Sequence, residues 1–538
     1  MTAPSTPADG GQAAIIAAMK QARFYPEHPA QVEFRETHIS AVFLAGPSVY
    51  KLKKSVRFAF LDTSALSRRF ELCCEEIRLN RRLAPDVYLG VYAIVGSGSG
   101  CGLSTDPVTK PVPEALEYAV KMTRLPDQRM LDHMLANGAA TPNTIAALAE
   151  LLARFHRDAP REHATRYGSA GAVWRLIMGN LGECERFVGE SIERAAFERL
   201  DQFFRHSLEA QWERINRRAL GGYVVEGHGD LRAEHVYVGD GGQIAIIDCV
   251  EFSEQFRYGD TALEIAFLAM DLDRLGAPLL GDEFVARYVE CAHDDELATL
   301  LPLYKCYRAV VRAKVASLKA IAPETSVAER ERAQKLARRY FELAGGYAQT
   351  AAPALLVVCG RSGTGKSTVA KRIRYRTGFP VINSDVVRKQ LAGVAPETSA
   401  RSDYGAGIYD VETTRKTYSA MIEQARVSLA VGTGVILDAT FKHAADREAV
   451  SDLARDLRAP LLFIECRASE QLTVARLEAR SRRSGEVSDA TVEIWRRQNA
   501  DFEELSEIPA GNHMVVDTER DPGAIALEVG AALARSGI

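Results

Sequence analysis

Residues 354–368 read ALLVVCGRSGTGKST. A short apolar run, ALLVVCG, has the length of a buried strand and leads directly into Gly360-Arg361-Ser362-Gly363-Thr364-Gly365-Lys366-Ser367, which satisfies G-x-x-x-x-G-K-[ST]. In this pattern glycines let successive backbone N–H groups face inward, and the helix that follows adds the partial positive charge of its N-terminus. Such a cradle holds anionic phosphates. Lys366 is expected to reach the β- and γ-phosphate oxygens of ATP and the Ser367 hydroxyl to hold Mg²⁺. Thr368 closes the nucleotide-binding stretch that begins at Gly360.

Downstream of this loop, strand and helix patterns alternate. The strand candidates are ALLVVCG (354–360), PVIN (380–383), GVILDAT (434–440), PLLFIEC (460–466) and HMVVDT (513–518). Short apolar strands separated by helices predict a parallel sheet covered on both faces. Upstream the rhythm differs. Residues 32–56 read as β-structure, with Gly46-Pro47-Ser48 as a turn, and 63–84 shows helical spacing of Leu, Phe and Ile. YLGVYAIVG and EYAVKMTRL are further strands, after which the chain reads as helix up to 344, apart from short strands around 235–248. Gly345-Gly346 is expected to stop a charged amphipathic helix over 326–344. The predicted organisation is a disordered or loosely packed stretch at 1–25, a domain over 26–345, a linker at 346–352 and a second domain over 353–538.

Past the loop, VINSDVVRKQL places Asp385 and Arg388 after the second strand, and VILDATF puts Asp438 at the tip of the third. LTVARLEARSRRSG is a basic segment that includes Arg476, Arg480, Arg482 and Arg483. From about 353 to 538 this arrangement resembles the P-loop kinases that include polynucleotide 5′-kinases, gluconate kinases, chloramphenicol phosphotransferase and zeta toxins. The resemblance implies Asp385 as the general base on an acceptor hydroxyl and Arg388 as an acceptor-binding residue. It also implies Asp438 as the carboxylate on the metal side, and Arg476 and Arg480 as lid arginines, Arg480 assisting transfer with Lys366. An Asp opening a helix can equally serve only as an N-cap, and arginines at a helix end can be a solvated face.

A second constellation lies upstream, where residues 227–237 read GHGDLRAEHVY and AIIDCVEF follows at 245–252. Together with VYKLKK, these stretches resemble the aminoglycoside-phosphotransferase-like branch of the protein-kinase fold over roughly 30–345. The resemblance implies a bilobal α+β domain in which Lys51 or Lys53 faces the ATP phosphates and Glu76 is the ion-pair partner. It implies the adenine-binding hinge around Met122, Asp230 as catalytic base and Asp248 as metal ligand. The family loop has His where this chain has Arg232, and Asn where it has His235. Imidazole nitrogen is a poorer ligand for Mg²⁺ than an amide oxygen, so His235 is a weaker metal ligand than the Asn it replaces. Glu234 could take over, one metal ion could suffice, or the site could bind nucleotide with little transfer. His156, on an apolar helix, reads as a packed core histidine, and Asp260, Asp271 and Asp273 as caps or solvated charges.

The whole order resembles bacterial proteins that join an aminoglycoside-phosphotransferase-like domain to a P-loop kinase domain. It implies an ATP- and Mg²⁺-dependent phosphotransferase that acts on the hydroxyl of a small molecule. Two alternatives stand beside it, a polynucleotide 5′-hydroxyl kinase and a nucleotide-sensing NTPase switch with a regulatory N-terminal domain. At 538 residues the chain is too long for one core, and its formal net charge of −4 provides no overall basic field for nucleic acid or a membrane surface. Residues 353–538 carry 25 Lys+Arg against 25 Asp+Glu, which disfavours a nucleic-acid acceptor without excluding a local basic groove. The nine cysteines form no C-x-x-C pair, and no apolar run reaches membrane-spanning length, so a cytoplasmic protein is expected.

Overall fold

A computed structural model describes residues 9–58, 61–97, 100–323, 325–395, 407–481 and 491–535. The chain divides into two compact units, one of Met1–Ser169 with Arg217–Ala277, the other of Ala170–Asn216 with Pro278–Ile538. The first has the kinase-like architecture and the second contains the P-loop α/β sheet.

In the first unit a six-stranded antiparallel sheet carries its strands in the order Val32–Glu36, Ser40–Ala45, Ser48–Lys53, Ala115–Thr123, Tyr88–Ser97, Gly100–Leu103. Alternation along Ser48–Lys53 sends Tyr50 and Leu52 to one face, where they pack with Phe43 and Tyr25, and leaves Lys51 and Lys53 on the other. The helix Leu66–Asn80 packs on the second face through Phe70, Cys73 and Ile77. The stretch 9–25 is not loose. Asp9–Met19 is a helix that buries Ile15 and Met19 against the sheet. Gln12 donates to Glu117 at 2.7 Å and to the Lys53 carbonyl at 3.0 Å. Its alanines and isoleucines suffice to cover the sheet edge. Two short ladders frame the loop at 227–235: Val224–Glu226 pairs with Tyr258–Asp260, and Val236–Val238 with Ile244–Ile246.

The second unit holds a five-stranded sheet, all parallel, in the order Val381–Asn383, Val435–Asp438, Leu355–Cys359, Leu461–Arg467, His513–Asp517. Its strands match the five predicted. Leu355, Val357 and Phe463 pack on one face and Leu356, Val358 and Ile464 on the other, as expected of strands apolar throughout.

The same unit contains the helices Pro278–Ala292, Leu297–Ile321 and Val327–Thr350. Val327–Thr350 does not stop at Gly345-Gly346 but runs through them, so the predicted linker begins inside a helix. Each glycine costs about 1 kcal/mol relative to alanine. Tyr340, Phe341 and Ala344 are buried, and Cys306 of the neighbouring helix reaches the Ala344 carbonyl at 3.4 Å; this packing offsets the cost. The helix after the P-loop, Lys366–Thr377, is docked on the same helices. Arg376 pairs with the buried Asp282 at 2.6 Å, Arg372 with Glu283 at 2.8 Å, and Arg374 reaches the Asp295 carbonyl at 2.7 Å. Among the described residues, no helix is long and apolar enough to cross a membrane.

Candidate active sites

The P-loop site is built on a strand–loop–helix turn. A Cβ added at Gly360 would lie 2.5 Å from the Cys466 carbonyl oxygen, so no other residue fits there without moving the neighbouring strand. Gly365 has φ +87° and caps the helix Lys366–Thr377, a conformation that favours glycine. The Arg361 carbonyl accepts both the Lys366 ammonium and the Thr364 hydroxyl at 2.8 Å. Lys366 is thus parked on the loop it serves. Burial lowers its pKa, and Asp438 and Asp385 act in the opposite direction. The Arg361 guanidinium itself lies 4.5 Å over the Phe502 ring. Ser362 and Thr364 are buried, while Ser367 and Thr368 are exposed at the start of the helix.

Asp438 ends the third strand, in register with Val358 and with Asn383, and is 2% exposed. Burial raises its pKa, against the opposing effects of Lys366, a hydrogen bond with Ser367 and another from Asn383 Nδ2 at 2.7 Å. The Ser367 hydroxyl and the Asp438 carboxylate are a hard-oxygen pair of the kind Mg²⁺ takes. Asn383 went unnoticed in the sequence and does two jobs. Its Oδ1 also accepts the backbone N–H groups of Asp385 (3.0 Å) and Val386 (3.2 Å), which caps the helix Ser384–Leu391. Asp385 is therefore not the cap. Its half-buried carboxylate makes no hydrogen bond or ion pair among the described residues.

Arg388 is placed differently from its expected role. Only 6% exposed, it donates to the Ile408 carbonyl (3.1 Å) and the Thr414 hydroxyl (2.9 Å) and lies 4.9 Å over the Tyr409 ring, fastening 408–414 to its own helix. Arg476 lies beside Gly365 and donates to the Thr518 hydroxyl at 3.1 Å and the Thr518 carbonyl at 2.7 Å. Arg480 follows one turn on in the same helix, Glu470–Ser481, and is half-buried. Arg482 and Arg483 lie outside the described residues.

The kinase-like site is a chain of ion pairs. Lys51 bridges Asp248 (2.6 Å) and Glu76 (2.9 Å), while Lys53 pairs with the other oxygen of Glu76 (2.6 Å) and with Glu251. Both lysines thus share Glu76, and Glu251 is a partner that sequence reading missed. Against the desolvation that would raise it, the Lys51 ammonium 2.6 Å away holds the half-exposed Asp248 carboxyl far below the usual range. Asp248 sits at φ +66°, a strained conformation for a non-glycine residue; its N–H donates to the Tyr88 hydroxyl at 3.1 Å. Met122 is buried in the same apolar cluster as Tyr88 and Val120, with Val49, Ala245 and Ile247 packed against it.

The loop at 227–235 explains its two departures from the family pattern. His235 Nδ1 lies 2.8 Å from the Asp230 carbonyl, which assigns the proton to Nδ1. Nε2 then accepts from Arg232 at 3.2 Å and lies 3.7 Å from Asp248. Burial and the Arg232 charge lower the His235 pKa, so the ring is neutral, and Arg232 occupies the lone pair a metal would need. Arg232 also grips Asp230 at 2.8 Å and pairs with Glu234. His228 is pushed down to about 4 by burial; its Nε2 meets the Ile247 carbonyl at 2.8 Å and its backbone N–H donates to the Glu264 carboxylate. His156 is a core histidine as read, 3.4 Å from Glu264. Asp260 caps a helix and binds Arg218, and Asp271 accepts the Ala233 N–H at 3.0 Å; both are structural.

Residues 45–300 match the Phosphotransferase enzyme family, and residues 355–505 match an AAA domain. Uncharacterized protein Rv2004c of Mycobacterium tuberculosis is 33% identical over 464 residues, which span 86% of this chain and 88% of that one. The chain belongs to the same family. It is an ATP-dependent kinase with a phosphotransferase part ahead of a P-loop part. Among solved structures, a choline/ethanolamine kinase family protein from Mesorhizobium loti is 12% identical, covering 61% of this chain and 98% of its own at a TM-score of 0.34. The APS kinase of Mycobacterium tuberculosis, solved with AMPPNP and APS, is 16% identical, covering 34% of this chain and 98% of its own at a TM-score of 0.25.

Proposed function

We propose that the P-loop site transfers the γ-phosphoryl group of Mg²⁺-bound ATP to a hydroxyl of a small molecule, with Asp385 as general base. The observation that supports this reading is the Asp385 carboxylate, without a partner among the described residues, relieved of capping by Asn383 and close enough to influence Lys366 and Asp438. As the acceptor oxygen bonds to the γ-phosphorus and the bond to the β–γ bridging oxygen breaks, the hydroxyl proton passes to Asp385. Lys366 leaves the Arg361 carbonyl for the phosphate oxygens, where its charge offsets the negative charge that builds on the leaving group. Ser367 and Asp438 are the residues that would hold Mg²⁺, which when bound neutralises phosphate charge. ADP and the phosphorylated acceptor leave.

A second nucleotide site in the kinase-like unit is supported by Lys51, which bridges Glu76 and Asp248 as a phosphate-facing lysine would. Its base, Asp230, is held by Arg232, so its transfer is expected to be the slower. Asp385→Asn separates a kinase from a nucleotide switch. Phosphoryl transfer, measured by ADP release across a panel of sugars, amino alcohols and oligonucleotides, should fall about a hundredfold or more. ATP affinity should be retained. Undiminished transfer would remove Asp385 from the reaction.

A further inference from the structure

Thr518 follows the last strand of the parallel sheet, His513–Asp517, and is 3% exposed. Its N–H donates to the Arg467 carbonyl at 2.9 Å, tying it to the end of the adjacent strand. Its hydroxyl lies 2.6 Å from the Thr364 carbonyl of the P-loop and 3.1 Å from the Arg467 carbonyl. One proton serves only one of these, and the shorter contact is to the loop. The hydroxyl lone pair accepts from Arg476 Nη1 at 3.1 Å, while Arg476 Nη2 donates to the Thr518 carbonyl at 2.7 Å. A Cβ built on Gly365 would stand 3.2 Å from Arg476 Nη1, so this guanidinium is already seated against the phosphate cradle.

We infer that Thr518 is a positioning residue that latches Arg476 to the P-loop before nucleotide arrives, making this arginine a fixed wall of the phosphate site and not a lid that swings in. This rests on the reading of 360–368 as a nucleotide site. A long flexible side chain that must be ordered during binding weakens binding by the entropy it loses; one ordered by the fold has already incurred that cost. Two donors of the same guanidinium are used on Thr518, one on its side chain and one on its backbone. Removing the hydroxyl therefore cuts one tie to Arg476 and the only side-chain tie between residue 518 and Thr364.

The test is a double-mutant cycle in the full chain carrying Asp248→Asn to quiet the kinase-like site, with Mg·ATP titration as the readout. It requires no acceptor. Thr518→Val and Arg476→Ala should each weaken ATP binding about tenfold. The double variant should be no weaker than the worse single, because both remove the same interaction. Thr518→Ser, which keeps the hydroxyl, should stay within about threefold of the parent. Additive losses, or Thr518→Val binding like the parent, would overturn the latch. Where Thr518→Val lacks a cooperative melt, Thr518→Ala takes its place in the cycle with the same expected results. Lys366→Ala separates the two levels of inference. If it leaves ATP affinity unchanged, the nucleotide site itself is refuted; if it abolishes binding while the Thr518 variants do not weaken it, only the latch fails.

Discussion

The two proposed nucleotide sites are built in opposite ways. At the P-loop, the proposed phosphate cradle consists of backbone N–H groups and a helix end, which need no counter-charges, and Asp385, the proposed base, makes no hydrogen bond or ion pair among the described residues. At the kinase-like site, the proposed phosphate-facing groups are side-chain cations. Lys53, buried, and Lys51, half-buried, then require Glu76, Glu251 and Asp248 to offset their desolvation, and Arg232 brings in Asp230 and Glu234. A backbone cradle leaves its base available, whereas a side-chain cradle neutralises much of its own machinery.

The largest effect that could break this contrast is the loss of transfer expected from Asp385→Asn. If Asp230→Asn were the more damaging change, the kinase-like site would be the working one and the contrast would invert. The next is a pH effect confined to one unit. The buried histidines among the described residues, His156, His228 and His235, all lie in the kinase-like unit. His228, with Glu264 and Asp230 favouring its charge and burial and His235 opposing it, titrates near 4 when folded against its ordinary 6.5. The unfolded chain takes up this proton first as pH falls. The stabilisation is therefore complete above pH 6.5 and is lost between 6.5 and about 4, on the order of 3 kcal/mol. Melting followed across that window should show a flatter pH slope in His228→Asn; an unchanged slope would mean the imidazole is not held neutral. A smaller effect sharpens the contrast at Arg232. In a Lys366→Ala background, Arg232→His should raise residual ATP turnover severalfold by releasing Asp230. A fall would make Arg232 part of the phosphate-binding set. The smallest expected effect is structural. Gly345→Ala should raise thermal stability by about 0.5–1 kcal/mol, because a helix runs through that position with open space at its Cβ.

How much of this was legible in the sequence depends on how far each interaction reaches along the chain. The P-loop was fully legible because its chemistry belongs to consecutive residues, and the five strands followed from apolar runs of strand length. The family resemblance named Glu76, Asp230 and Asp248 and left Lys51 and Lys53 as alternatives, and the structure brings both lysines to Glu76. Residues whose role is set by a distant partner could not. Asn383 looks like any turn residue until the register brings Asp438 beside it, and Arg388 looks like a ligand-binding arginine until 408–414 folds over it. Thr518 has no local signature because Thr364 is 154 residues away. The Gly-Gly stop failed for the same reason: local propensity opposed the helix and packing against Leu297–Ile321 outweighed it.

The helix that continues to Thr350, together with the arginines that fasten Lys366–Thr377 to 278–295, determines where this protein can be cut. A polypeptide begun at residue 353 would inherit a nucleotide cradle whose supporting helix has lost its scaffold. Arg376 would lose its ion pair with Asp282 together with the helices that cover it. The compact unit that holds the P-loop sheet is thus discontinuous in sequence, and kinase activity missing from such a fragment would be expected from a broken foundation as much as from an inert catalyst.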